Sequence, residues 1–108
     1  MNKQQCIDAC LACVVTCETC LTSCINDGRT ECASLCRDCA DICALCARLC
    51  ARDSKYSKDL CALCAKVCNA CAEECEKHAA HGMEHCRVCA EACRRCAEEC
   101  KDMAHAAV

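Results

Sequence analysis

Cysteine recurs along this chain at alternating steps of three and four residues, and that spacing limits what the chain can fold into. The first run is Cys6, Cys10, Cys13, Cys17, Cys20 and Cys24, and the second repeats it 26 residues later as Cys32, Cys36, Cys39, Cys43, Cys46 and Cys50. A third run holds Cys61, Cys64, Cys68, Cys71 and Cys75, and Cys86, Cys89, Cys93, Cys96 and Cys100 copy it at an offset of 25. A mean step of about 3.5 is the heptad period. Each run therefore reads as the a/d seam of an α-helix, with thiol where leucine is the usual occupant.

Proline is absent, and the two glycines, Gly28 and Gly82, both fall between runs, where a helix C-terminus wants them. The pattern predicts helices over about 3–26, 30–53, 57–78 and 83–103. The connections are Asn26-Asp27-Gly28-Arg29, Asp53-Ser54-Lys55-Tyr56 and His78-Ala79-Ala80-His81-Gly82. Connections this short force successive helices to run antiparallel. The expected fold is all-α, an up-down-up-down four-helix bundle forming one domain over 1–108.

Threading the seams antiparallel gives flat layers of four. From one end they are Cys6/Cys50/Cys61/Cys100, Cys10/Cys46/Cys64/Cys96, Cys13/Cys43/Cys68/Cys93, Cys17/Cys39/Cys71/Cys89 and Cys20/Cys36/Cys75/Cys86, with Cys24/Cys32 above. Weaker apolar stripes flank the seams: Ile7, Leu11, Val14, Leu21 and Ile25 on helix 1, Leu35, Ile42, Leu45 and Leu49 on helix 2, and Leu60, Leu63 and Val67 on helix 3. They read either as a widening of each buried face or, above all on helix 1, as a subunit interface. Helix 4, flanked by Arg87, Arg94, Arg95, Glu99 and Lys101, should face water.

Cysteine supplies 22 of the 108 residues, while Leu, Ile and Val together number 15 and Phe and Trp are absent. That aliphatic share lies below the roughly 20% at which an ordinary core becomes doubtful. Cysteine alone would leave a bundle interior short of native packing density. A disulfide scaffold is disfavoured, since thiols at i,i+3 and i,i+4 in a helix aim poorly for bridging. Redox catalysis is disfavoured too: CxxC occurs eight times, mid-helix, with no βαβ pattern around it. The net charge of −3, with both signs interspersed, offers no basic stripe for nucleic acid. No Ser/His/Asp set or phosphate loop points to an enzyme.

Metal binding remains, and charge selects the metal. Zn²⁺ in a Cys₄ layer leaves about −2 per site, and successive layers are only about 5 Å apart. Five such layers would hold about −10 in a dry interior. Iron–sulfur clusters meet the same objection and need more room. A soft monovalent ion shared between thiolates gives a neutral core at about one ion per cysteine, and Cu(I) is that ion. The expected function is non-enzymatic storage and detoxification of multiple Cu(I) ions. A zinc or cadmium thiolate buffer is the alternative, followed by an iron–sulfur electron-transfer protein.

The CxxxC-x-x-CxxxC phasing on all four helices, with phrases such as Cys39-Ala40-Asp41-Ile42-Cys43-Ala44-Leu45-Cys46 and Cys61-Ala62-Leu63-Cys64-Ala65-Lys66-Val67-Cys68, resembles the bacterial copper storage proteins. Met1-Asn2-Lys3-Gln4-Gln5-Cys6 passes straight into the repeat, which resembles the leaderless cytosolic branch. The resemblance implies a bundle storing many Cu(I) ions along its axis, commonly a homotetramer, placed in the cytoplasm. Copper would come from a small-molecule or protein donor. No run approaches the roughly 18 apolar residues of a membrane span, so no membrane partner is expected.

The ends of the seams are distinct. Continuing the helix 3 phase past Cys75 reaches His78, expected to complete the layer of Cys24 and Cys32, with His81, Met83 and His85 as a copper entrance at the same end. The other end runs out to Lys3, Asp53, Ser57 and Met103, expected to form a closure, and His105 falls in the tail.

Overall fold

The computed structural model describes residues 3–106, so the ends of the 1–108 domain and the Met1-Asn2 start lie outside the described residues. Four helices follow in order: α1 (Lys3–Asp27), α2 (Thr30–Ala51), α3 (Ser57–Ala79) and α4 (Glu84–Ala104). They form an up-down-up-down bundle measuring 43 × 19 × 17 Å. Antiparallel pairing shows directly in the thiols: Cys6 meets Cys100 and Cys20 meets Cys86, while Cys50 meets Cys61 and Cys32 meets Cys75.

All three turns use one device. A residue with left-handed backbone follows the helix, and the next amide reaches back five residues to a carbonyl the helix would leave unpaired. Gly28 (φ 75°) and Gly82 (φ 86°) serve the first and third turns, with Arg29 N donating to Cys24 O at 2.9 Å and Met83 N to His78 O at 3.3 Å. In the second turn Asp53 (φ 51°) takes the place of glycine, and Ser54 N donates to Leu49 O at 3.0 Å. Asp tolerates this conformation better than most residues do. That is why α2 stops at Ala51 rather than at 53.

The core is sulfur edged with methyl groups. No cysteine exposes more than 2% of its surface, and Ala9, Ala33, Ala40, Ala47, Ala72, Ala90 and Ala97 are the other buried residues among those described. The alanines set the bundle's cross-section. Helices α1 and α2, and likewise α3 and α4, approach more closely than α2 with α3 or α1 with α4. Ala33 lies beside Leu21 and Ile25 at the first close seam, and Ala90 beside Glu76 and Ala79 at the second. A small side chain there lets backbones approach, and the wider seams are left to the thiols.

The aliphatic stripes divide. Ile7, Val14, Leu21, Leu35, Ile42, Leu60 and Val67 pack against the core, whereas Leu11, Val15, Ile25, Leu45 and Leu63 are exposed. On α4, Arg87, Arg94, Arg95 and Lys101 face water as expected, with Arg94 reaching across to Glu76 on α3. One expectation needs correcting: α1 has the length and apolar composition of a membrane span. Cysteine inflates that measure, and in the bundle the cysteines of α1 face the axis.

Candidate metal centre

The heptad puts the cysteines of each helix on one stripe, and the antiparallel bundle turns the four stripes inward. The result is a continuous column of sulfur. Cys13 Sγ lies 3.6 Å from Cys93 Sγ and 3.8 Å from Cys39 Sγ, and Cys43 Sγ lies 3.5 Å from Cys68 Sγ and 3.6 Å from Cys64 Sγ. These separations are far beyond a disulfide bond of about 2.05 Å. All 22 cysteines are free thiols.

The flat layers expected from the sequence become a staggered stack. Along α1 and α4 the register is the expected one, Cys6 to Cys100 through Cys20 to Cys86. Along α2 and α3 the expected pairs Cys50–Cys61 and Cys43–Cys68 are kept, but Cys61 also meets Cys46, Cys68 also meets Cys39, Cys43 also meets Cys64, and Cys36, expected opposite Cys75, meets Cys71. Knobs inserting into holes, rather than standing head to head, produce this offset. Quartets whose Sγ atoms lie within 4.8 Å of one another therefore mix layers, among them Cys6/Cys46/Cys61/Cys100, Cys10/Cys64/Cys96/Cys100 and Cys17/Cys71/Cys89/Cys93. The quartets share members, so an ion in one can pass to the next by changing one ligand at a time.

With metal–sulfur bonds of about 2.3 Å, ligands at the corners of a triangle stand about 4.0 Å apart and those of a tetrahedron slightly closer. The contacts of 3.5 to 4.0 Å suit either. Charge separates them. No polar or charged side chain is buried among the described residues, so nothing offsets the surplus negative charge of Zn²⁺ in Cys₄ sites. Burial also governs the end thiols: as the largest cause it pushes Cys24 and Cys50 up to about 12, at Cys24 against an opposing hydrogen bond from Arg29. Within the column a proton shared between neighbours moves them oppositely, Cys17 holding Cys13 down and being pushed up in turn.

At the His/Met end the structure redistributes the expected roles. His78 Nε2 stands 2.9 Å from Glu74 Oε2 one turn earlier. His85 takes the place beside the column, with Nδ1 3.5 Å from Cys86 Sγ. His81 is exposed in the turn. The residue missed in the sequence is Arg29. Its guanidinium closes over this end, 3.1 Å from His85 Nε2, 3.8 Å from Met83 Sδ and 2.9 Å from Asp27. Arginine only donates, so His85 Nε2 accepts and the ring proton sits on Nδ1, aimed at Cys86. The available sequence signal was positional: Arg29 follows Gly28 and starts α2 at the same end as His85.

The opposite end is not the closure expected. Lys3 and Asp53 pair at 3.0 Å across the surface, but beside them opens a cavity of about 260 Å³ whose lining includes Ser57, Met103, Cys50 and Cys61.

A thiol-lined four-helix bundle with no buried countercharge is a container for soft metal ions. The comparisons with known proteins identify which container. Residues 1–105 match the family described as copper storage protein, and the chain belongs to that family. Several solved structures are similar to it, three of them as follows. The Cu(I)-bound copper storage protein BsCsp3 is 42% identical, with 96% of this chain and 99% of that chain covered at a TM-score of 0.88. Apo-Csp3 from Bacillus subtilis is 46% identical, with 94% and 97% covered at 0.86. A cytosolic copper storage protein from Streptomyces lividans, solved with five coppers, is 37% identical, with 98% and 94% covered at 0.89. No curated protein matches the chain.

Proposed function

We propose that this chain stores and detoxifies Cu(I) in the cytoplasm, holding many ions on the 22 cysteines of its column. It catalyses no reaction. The observation that carries the reading is a buried run of thiols with no buried charged residue beside it among the described residues, which monovalent ions fill at one per thiolate without net charge, whereas Zn²⁺ in separate Cys₄ sites leaves about −2 each. Each ion entering displaces thiol protons, so loading releases acid and weakens as pH falls. The end bearing His78, His81, Met83 and His85 is an entrance, where borderline nitrogen and soft thioether exchange ligands readily. There His85 takes the terminal position expected of His78, and Arg29 covers it. Copper arrives from a small-molecule or protein donor. The exposed Leu11, Val15 and Ile25 on α1 support assembly, as a homotetramer, through that helix.

The test is anaerobic titration. Cu(I) should bind to about one equivalent per cysteine, well beyond Zn²⁺ capacity. Saturation at about five ions with zinc preferred in competition would return the chain to the thiolate-buffer reading.

A further inference from the structure

The end walled by Lys3 and Asp53 differs from the rest of the surface. The clefts on the helix flanks, such as that along Glu76, Ala79 and Arg94 or that along Leu21, Ala33 and Arg37, have no thiol in their walls. The cavity at this end does: Cys50 and Cys61, 3.6 Å apart, belong to the sulfur column and form part of its lining. Met103 adds a soft thioether.

Charge around the opening is of one dominant sign. Lys3 at the start of α1, the α2–α3 turn and the first turn of α3 bring Lys3, Arg52, Lys55 and Lys58 against Asp53, which pairs with Lys3, and Asp59, on a chain whose overall charge is −3. The turns and first helical turns at the other end carry Asp27, Glu31 and Glu84 against Arg29 and Arg87, which pairs with Glu84. A cationic rim over a soft floor selects an anion that brings or takes a soft metal. At about 260 Å³ the cavity is smaller than the roughly 300 Å³ that encloses a whole ligand, so it admits the reacting end of a small molecule.

We propose that this cavity is a second port, at which an anionic Cu(I) complex of a low-molecular-weight thiol exchanges copper with Cys50 and Cys61. The proposal rests on the storage reading and adds to it a place and a donor class. The exchange balances without any redox change. A bis-thiolate complex, RS–Cu–SR with one negative charge, gives up two copper–sulfur bonds while Cys50 and Cys61 form two. Their two thiol protons leave on the departing thiolates as two RSH, and one negative charge stays with the copper now held by the two cysteines. The reverse reaction withdraws copper. From Cys61 the ion reaches Cys46, 3.6 Å away, and so enters the column. Lys3 and Lys58 act before exchange, by drawing the anion to the opening.

The experiment loads the whole protein anaerobically from two probes, the anionic bis-glutathione complex of Cu(I) and the cationic acetonitrile complex. In the wild type, rising ionic strength should slow loading from the glutathione complex, because screening removes the attraction of the rim. The double variant Lys3→Glu/Lys58→Glu should lower the ratio of glutathione-fed to acetonitrile-fed rate about tenfold. A ratio equal to that of the wild type, or a glutathione-fed rate indifferent to salt, overturns the port. Failure of the storage reading shows separately, as a wild-type column that fills from neither probe.

Discussion

A thiol taken out of water keeps its proton, and the two ends of the column make this measurable. Burial pushes Cys24 and Cys50 up to about 12 from an ordinary 9.0. A group that holds its proton more tightly when folded lends stability that is fully present below pH 9 and is lost as pH rises toward 12. Cys10 works in the other sense, drawn down to about 7 chiefly by a hydrogen bond from Cys100. Its contribution is nearly complete by pH 9, so it offsets little of the loss above. The apo protein should therefore melt at progressively lower temperature between pH 9 and 11 in anaerobic buffer, and a flat or rising melting temperature there would overturn this account. The thiols themselves were legible in the sequence because their phase fixes their direction. His78 has that same phase, yet Glu74 four residues earlier captures its imidazole, a local hydrogen bond that periodicity cannot rank against a thiol layer. Arg29 has no helical phase at all. Its reach over His85 and Met83 depends on two separate turns meeting in space.

Helices and turns differ in how much of them can be read without coordinates. The 3.5 step fixes helix, face and direction together, so all four helices lie where the spacing places them. The turn glycines were legible for an equally physical reason, since a left-handed residue is needed where a helix stops against its neighbour. Asp53 was not, because its side chain gives no notice that it will take a glycine's conformation. Nor did the pattern reveal the stagger of α2 against α3, which depends on side-chain interlock, or the alanine seams that narrow the bundle along α1–α2 and α3–α4. The turns are testable singly. A Cβ at Gly28 would meet no atom within 4 Å, so its whole penalty is backbone strain at φ 75°. Gly28→Ala should destabilise the apo protein by about 1 kcal/mol, the lower end of the left-handed penalty for an L-residue. For a domain near this size that is a fall of roughly 4–8 °C in melting temperature. No change on calorimetry would mean that the turn relaxes to another conformation.

The molecule as a whole answers two demands with separate parts of each helix. The axis is reserved for sulfur, so the structure without metal must come from what surrounds it: alanine seams, the packed Ile7, Val14, Leu21, Leu35, Ile42, Leu60 and Val67, and a sequence rich in good helix formers. The apo protein should therefore keep its four helices by far-ultraviolet circular dichroism, yet unfold at a modest temperature. Copper changes this by mass action, because ions bound only by the folded column stabilise it. One site at a free concentration 1,000 times its dissociation constant adds about 4.1 kcal/mol. At about 4–8 °C per kcal/mol, one well-filled site raises the melting temperature by more than 15 °C, and a loaded column by more still. Anaerobic melts at increasing copper should show the transition climbing as equivalents are added, with little change in helicity beforehand. An apo chain that is random coil would show that the helices need metal to form. A melting temperature that does not move on loading would show that copper binds the unfolded thiols as well as it binds the column.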